Sequence, residues 1–287
     1  MLRCHHPRRT VLYVRGDDQA AMEQAASLPA DVVFLDLEDG VAPPAKATAR
    51  ELVCGAAREG RFGVRQEVVI RVNSMTSPWG HDDIAAVGAC GACGIVLPKV
   101  ERVEEVRHAE GVLATLGAPP SLEVWLMMET PRGVLLSEAL ATASQRVTCL
   151  VMGTSDLTRA LHARATADRA PLLASFGLCL LTARAQGLTI IDGVHTDRAD
   201  AGGFAAACAQ ARDMGFDGKT ILYPEQLEEA NRVFAPDEEE VAWARRVLAS
   251  HEAAAGGAAS VDGLLLEPFH LHRARHIVGL VEAIAAS

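Results

Sequence analysis

One pattern recurs along the whole chain: a short, β-branched apolar run followed by a longer stretch rich in Ala, Glu and Arg. The apolar runs are VLYV (11–14), VVFLDL (32–37), VVIRV (68–72), GIVLP (94–98), LEVWLMM (122–128), VTCLVM (147–152), LTIIDGV (188–194) and KTILY (219–223). Helical stretches fill the gaps at 18–27, 46–60, 103–116, 133–143, 171–186, 202–214 and 225–233. Strands that are apolar along their length, rather than alternating, are buried on both faces, as in a parallel sheet covered by helices. Eight such units predict a closed (β/α)8 barrel of the TIM type, with an open doubly wound sheet as the alternative. No glycine-rich dinucleotide fingerprint follows the first strand, where the sequence reads VRGDDQ.

The repeat stops near residue 236. PDEEEVAWARRVLASHEAAA reads as one helix, with Asp237 as its cap and three glutamates in its first turn. GGAAS (256–260) reads as a hinge, and LHRARHIVGLVEAIAA as a terminal helix. The expected division is a barrel over 8–235 and a helical extension over 236–287 that packs at a subunit interface.

The 287 residues are close to the ~250 typical of one such barrel. Aromatics make up only 4%, so Ala, Leu and Val must fill the core. The formal net charge of -10 argues against general binding of nucleic acid or anionic membrane, while leaving room for an anionic metabolite held by a few local arginines. No apolar run reaches the ~18 to 20 residues of a membrane span, and the basic N-terminus runs into the first strand without the apolar segment of a signal peptide. Seven scattered cysteines fit reduced thiols and a cytoplasmic location.

In a parallel barrel, side chains just past the strand C-termini face the active-site mouth. Here those positions hold Arg15, then Asp36, Glu38 and Asp39, then Arg71 and Asn73, then Lys99, Glu129, Asp156, Asp192 with His195, and Tyr223. The opposite strand ends look less charged. Asp36 and Arg71 lie inside their apolar runs, where an unpaired ion costs several kcal/mol. Carboxylates with few histidines suit a hard cation such as Mg2+, and Glu129 and Asp156 on consecutive strands could share one ion. Arg71 could then hold a substrate carboxylate or a developing oxyanion. The CxxC at Cys90 and Cys93 has no second pair at zinc spacing, and His270, His272 and His276 read as a solvated or interface face of the terminal helix.

Together the stretches RRTVLYVRG, FLDLEDGVAPPAK, VIRVNSMTSPWGHDD, GIVLPKVE, METPRGVL, VMGTSDL, DGVHTDRADAGGF and MGFDGKTILYPEQL resemble the citrate lyase β-subunit family, which includes malyl-CoA lyases and is related to the HpcH/HpaI aldolases. The resemblance runs from about Arg9 to the C-terminus. It implies an eight-stranded barrel assembling as a homotrimer or hexamer, Mg2+ at Glu129 and Asp156, and substrate contacts from Arg71 and Lys99. It also implies that Asp36, Glu38 and Asp39 stand beside the metal. The implied reaction is cleavage of a 3-hydroxyacyl-CoA or acyl-carrier thioester, of the citryl or malyl type, to acetyl-CoA and an α-keto acid. In that chemistry Arg71 would face the thioester enolate. The alternatives are a malyl-CoA-type thioesterase, an aldolase on a free hydroxy-keto acid, or a non-catalytic homologue that binds metal and ligand.

Three stretches depart from the family pattern: VRG where VPG is common, LYP where IHP is usual, and LLLEPF where the lyases often carry an aspartate. The last makes Glu267 the expected acid/base in place of that aspartate.

Overall fold

The computed structural model describes residues 7–63, 65–254 and 258–286. The chain divides into two compact units, Arg8–Asn231 and a second that holds the chain from Arg232 onward.

The first unit is a closed barrel of eight parallel strands in sequence order. They are β1 (Thr10–Arg15), β2 (Val32–Asp36), β3 (Glu67–Arg71), β4 (Gly94–Leu97), β5 (Glu123–Met128), β6 (Val147–Met152), β7 (Thr189–Asp192) and β8 (Gly218–Ile221). The ends of each lie within two residues of the ends of its apolar run. The pairing of β1 with β8, Val11 opposite Thr220, closes the ring and excludes the open sheet.

The helices of this unit are α1 (Gln19–Ala25), α2 (Lys46–Arg58), α3 (Gly80–Val87), α4 (Val103–Thr115), α5 (Pro131–Leu135), α6 (Ser137–Ala141), α7 (Thr154–Ala160), α8 (Leu173–Gln186), α9 (Ala201–Met214) and α10 (Leu227–Val233). The single helix expected over 133–143 is two short helices with a break at Leu136. Two further helices, over 80–87 and 154–160, lie outside the helical stretches read from the sequence; at 8 and 7 residues they are too short to show a clear period. Local signals place several starts: Asp18 accepts from the Ala21 N–H to cap α1, and Asp200 from the Gly203 N–H to cap α9.

Inward side chains stack in layers, as barrel geometry demands. Val11, Val32, Phe34, Val69, Val96, Trp125, Met127, Cys149, Val151 and Ile191 form one buried cluster, with Tyr13 packed against it. Trp125 and Phe34 supply the bulk that the sparse aromatic content withholds elsewhere, each worth about 2 to 3 kcal/mol of buried apolar surface.

The floor of the barrel corrects the expectation that the N-terminal strand ends carry little charge. Arg8 donates to Glu67 at 2.6 and 3.1 Å and to Glu123 at 2.8 Å. Its guanidinium lies 4.7 Å from the Trp125 ring centroid. The same Glu123 oxygen accepts from the Trp125 indole at 2.9 Å and the Thr148 hydroxyl at 2.6 Å. Burial alone would raise the Glu123 carboxyl, but Arg8 and these hydrogen bonds outweigh it and hold the carboxyl below its ordinary range. Beside it Asp31 accepts from the Arg9 backbone and side chain at 2.7 to 2.8 Å.

The second unit contains α11 (Glu238–Ala253), a hairpin of β9 (Ser260–Val261) and β10 (Leu264–Leu265), and α12 (Pro268–Ala286). Asp237 caps α11, accepting from the Glu240 N–H at 2.8 Å, as the sequence predicts. Ala244, Val247, Val261, Ala274 and Ile277 form a small core of their own. The hairpin follows the hinge expected over 256–260 and has no counterpart among the elements read from the sequence. Asp262 at φ 53° and Gly263 at φ 81° make the tight reversal that an Asp-Gly pair favours. Gly256 and Gly257 of that hinge, and His5 and His6, lie outside the described residues. No helix among the described residues is long and apolar enough to cross a membrane.

Replacing Arg8 by Met should lower the urea-unfolding free energy of the barrel by about 3 to 5 kcal/mol, because two buried carboxylates lose their counter-ion. The pH dependence should change with it. The wild-type contribution from Glu123 is present above the ordinary glutamate range and lost as pH falls through the lowered folded value, so the variant should lose less stability on acidification. Equal acid sensitivity in both proteins would refute the assignment.

Candidate active site

At the opposite end of the barrel, neighbouring strands bring sequence-distant charges together. Asp36 and Arg71 are register partners on β2 and β3. Arg71 Nε and Nη2 donate to the two Asp36 oxygens at 2.6 and 2.7 Å, a bidentate pair with both side chains buried. Arg71 Nη1 lies 3.3 Å from Glu38 Oε2 and 3.5 Å from the Met127 sulfur. The guanidinium sits 5.0 Å from the Tyr13 ring centroid. The ion that the sequence places inside an apolar run is therefore fully paired.

Asp36 does more than neutralise Arg71. Its oxygens also accept from the backbone N–H groups of Glu38 at 2.9 Å and Gly40 at 3.0 Å, so it shapes the loop carrying Glu38 and Asp39. Lys46, at the start of α2, braces that loop from behind. Its Nζ donates to the Leu37 carbonyl at 2.8 Å, the Glu38 carbonyl at 2.6 Å and the Asn73 side chain at 2.7 Å. Burial lowers the Lys46 pKa, against the pull of Asp36, Glu38 and Asp83. Asn73 is in turn held by Asp83 at 2.6 Å, and Asp83 by Arg50 at 2.6 Å.

Glu129 follows β5 directly and is 1% exposed. Its Oε1 accepts the Lys99 backbone N–H at 2.7 Å, while its Oε2 is buried with no hydrogen-bond partner. Burial, with Glu38 and Asp156 nearby, outweighs Arg71 and the Lys99 N–H and pushes its carboxyl up to about 8. Lys99 stands at φ 51°, in the left-handed region. There its N–H meets Glu129 while its Nζ bonds Glu38, and Asp39 at 2.9 Å. The carboxylate also needs Gly153 at the end of β6: any Cβ there would stand 2.4 Å from Glu129 Cβ and 2.7 Å from Oε2.

Asp156 lies in the first turn of α7, paired with Arg159. Glu129, Asp156 and Lys99 line one cavity of about 630 Å3, together with Ser74, Thr76, Glu101, Arg102, Glu105, Thr130, Arg132, Arg159 and Ala160. Arg71 is not among the lining residues; it lies beneath them, locked to Asp36. Glu267 is exposed at the start of α12 in the second unit, where its N–H donates to His270 Nδ1 at 3.0 Å.

Asp192 takes part in a different arrangement. Both its oxygens accept from Arg169, at 2.8 and 2.6 Å, and one also accepts from Lys219 at 2.6 Å. All three charges are largely buried, and they tie the segment after α7 to β7 and β8. His195 has a buried Nε2 without a hydrogen-bond partner, 3.7 Å from Asp200. Cys90 is buried, Cys93 is exposed, and both are free.

Sequence reasoning missed Lys46, Arg169 and Lys219. Nothing local marks them: Lys46 opens a helix, Arg169 lies in a loop and Lys219 in a strand, and each reaches its carbonyl or carboxylate only through the fold.

The cavity suits a hard divalent cation on the chemistry of its donors. Among the described residues no group of three His, Cys, Asp or Glu side chains is placed to hold a metal ion by itself. Mg2+ requires only one or two carboxylates. The unpartnered Glu129 oxygen, buried next to Asp156, is a donor whose compensating charge the protein itself does not supply.

The comparisons with known proteins agree with this architecture. The chain is 43% identical to a (3S)-malyl-CoA thioesterase of Cereibacter sphaeroides over 98% of this chain and 97% of that one. It is 31% identical to the citrate lyase subunit beta of Escherichia coli, over 96% and 93%. Among solved structures, CitE from Mycobacterium tuberculosis in complex with magnesium, acetoacetate and coenzyme A superposes with a TM-score of 0.76 at 28% identity, covering 95% of this chain and 97% of that one. The family model for HpcH/HpaI aldolase/citrate lyase matches residues 9–224. The chain therefore belongs to the HpcH/HpaI aldolase/citrate lyase family.

Proposed function

We propose that this chain is a Mg2+-dependent enzyme of a malyl-CoA-type 3-hydroxyacyl thioester, and that it hydrolyses the thioester. The observation that carries the metal-dependent reading is the buried, unpartnered Glu129 oxygen in a cavity shared with Asp156. Hydrolysis is supported by whole-length similarity to proteins named (3S)-malyl-CoA thioesterase. The use of CoA is supported by the coenzyme A in the M. tuberculosis relative.

In this reading Glu129 and Asp156 hold the ion, which when bound would chelate the substrate hydroxyl and carboxylate and polarise them. The rest of the site prepares that pair of carboxylates. The Lys99 N–H occupies Glu129 Oε1 and leaves Oε2 as the available donor. Asp36, Glu38 and Asp39 form the carboxylate wall beside it, held by Arg71, Lys99 and Lys46. Arg71 places a permanent positive charge under the cavity, where negative charge grows on a thioester oxygen. Glu267 is the proton-transfer group that we propose comes from a neighbouring subunit.

A second reading keeps the same site and substrate class but cleaves the carbon–carbon bond, giving acetyl-CoA and an α-keto acid. Similarity to citrate lyase subunit beta favours it. The bidentate commitment of Arg71 to Asp36 bears equally on both readings, since each develops negative charge on the thioester oxygen, so the products separate them.

With malyl-CoA and Mg2+, the hydrolytic reading expects free CoA and malate in equal amounts. Acetyl-CoA and glyoxylate would replace it with the lyase reading, and no consumption of any malyl-, citramalyl- or citryl-CoA would end both. Replacing Glu129 by Gln should weaken Mg2+ binding by at least about 100-fold by calorimetry, with an unchanged urea midpoint. Mg2+ affinity equal to wild type would remove Glu129 from the metal site. Glu267→Gln should lower kcat by about 10²-fold or more while Mg2+ affinity stays put, and unchanged kcat would discard its proton-transfer role.

A further inference from the structure

The cavity that holds Glu129 and Asp156 is lined by four cationic side chains, and three of them are already committed. Lys99 is bound to Glu38 and Asp39. Arg102 pairs with Glu105 at 3.3 Å, and Arg159 with Asp156. Arg132 is different: it is exposed and lines the same cavity, and among the described residues no ion pair or hydrogen bond engages its guanidinium. It stands three residues beyond Glu129, on α5, so the backbone that places the metal-facing carboxylate also places this guanidinium.

In a chain with a net charge of -10, an arginine with an unpaired side chain at the rim of this cavity calls for an anion. Two anionic groups are available on a 3-hydroxyacyl-CoA: the acyl carboxylate and the phosphates of the nucleotide. The acyl carboxylate belongs deep in the site, with Glu129 and Asp156 and above the buried Arg71. Arg132 is at the solvent side. A cavity of about 630 Å3 is also much larger than a four-carbon acid requires, leaving room for the pantetheine arm to run outward. A planar guanidinium with free N–H groups matches a phosphate in geometry as well as charge.

We infer that Arg132 is a docking residue for a phosphate group of coenzyme A, fixing the nucleotide at the cavity rim so that the thioester reaches the Glu129–Asp156 end. The inference rests on the CoA-thioester reading above and specifies which residue receives the nucleotide.

Calorimetric titration of wild type, Arg132→Gln and Arg132→Lys with CoA, dephospho-CoA and L-malate tests it, with circular dichroism as the check on folding. Arg132→Gln should bind CoA roughly tenfold or more weakly, as expected for loss of a charge-assisted hydrogen bond, and malate within about twofold of wild type. Arg132→Lys should recover part of the loss. If the 3′-phosphate is the group held, wild type should bind dephospho-CoA as weakly as Arg132→Gln binds CoA; if the diphosphate is held, the substitution should weaken both nucleotides. CoA binding as tight in Arg132→Gln as in wild type overturns the inference and leaves the thioester reading standing. Selective loss of malate binding also overturns it, by assigning Arg132 to the acyl carboxylate. Absence of CoA binding in wild type itself refutes the thioester reading, and this assignment with it.

Discussion

Closure of the barrel is the constraint on which everything else depends. Pairing of β1 with β8 turns eight parallel strands into a ring, so every strand's C-terminal end opens on the same space. Parallel register then sets neighbours level: Asp36 stands opposite Arg71 because β2 and β3 run side by side in step. A charge at the end of one strand would be a surface residue in isolation. In the ring it meets the ends of its neighbours, and burial becomes tolerable because each ion has a partner within hydrogen-bond reach.

The same geometry gives the two barrel ends different characters. At the floor, one arginine meets two glutamates, and the glutamate oxygens are satisfied by an indole and a hydroxyl as well. This end is electrostatically finished and serves stability. At the mouth, Arg71, Lys99 and Lys46 stand among Asp36, Glu38, Asp39 and Glu129, three cations against four carboxylates. The imbalance falls on Glu129, the most buried of the carboxylates in contact with the cavity, and its carboxyl is pushed up to about 8. A cation entering beside Asp156 would relieve that imbalance.

Much of this was legible in advance, for reasons that differ by residue. Strand positions followed from continuous apolar runs, and the α11 start from the capping chemistry of Asp237. Glu129 and Asp36 were visible because a carboxylate at the end of or inside an apolar run contradicts its surroundings. Arg8, Glu67 and Glu123 were passed over because they look like ordinary charges at strand starts, with nothing nearby in sequence to show that they meet. Lys46 was hidden because a lysine opening a helix is unremarkable until its ammonium is seen on the Leu37 and Glu38 carbonyls. The Asp-Gly at 262–263 was a hairpin signal that the two-residue strands on either side were too short to support.

By itself the amino-acid sequence determined the number and order of strands, the layer of helices around them, and which carboxylates were out of place. These are properties of local pattern, carried by side-chain period and turn chemistry. Only the tertiary structure decided which charges pair. It locked Arg71 to Asp36 beneath the cavity, closed the floor with Arg8, occupied one oxygen of Glu129 and left the other bare, and left Arg132 uncommitted at the rim. Those outcomes depend on distances between residues 30 to 120 positions apart, which closure of the barrel sets and no local segment contains.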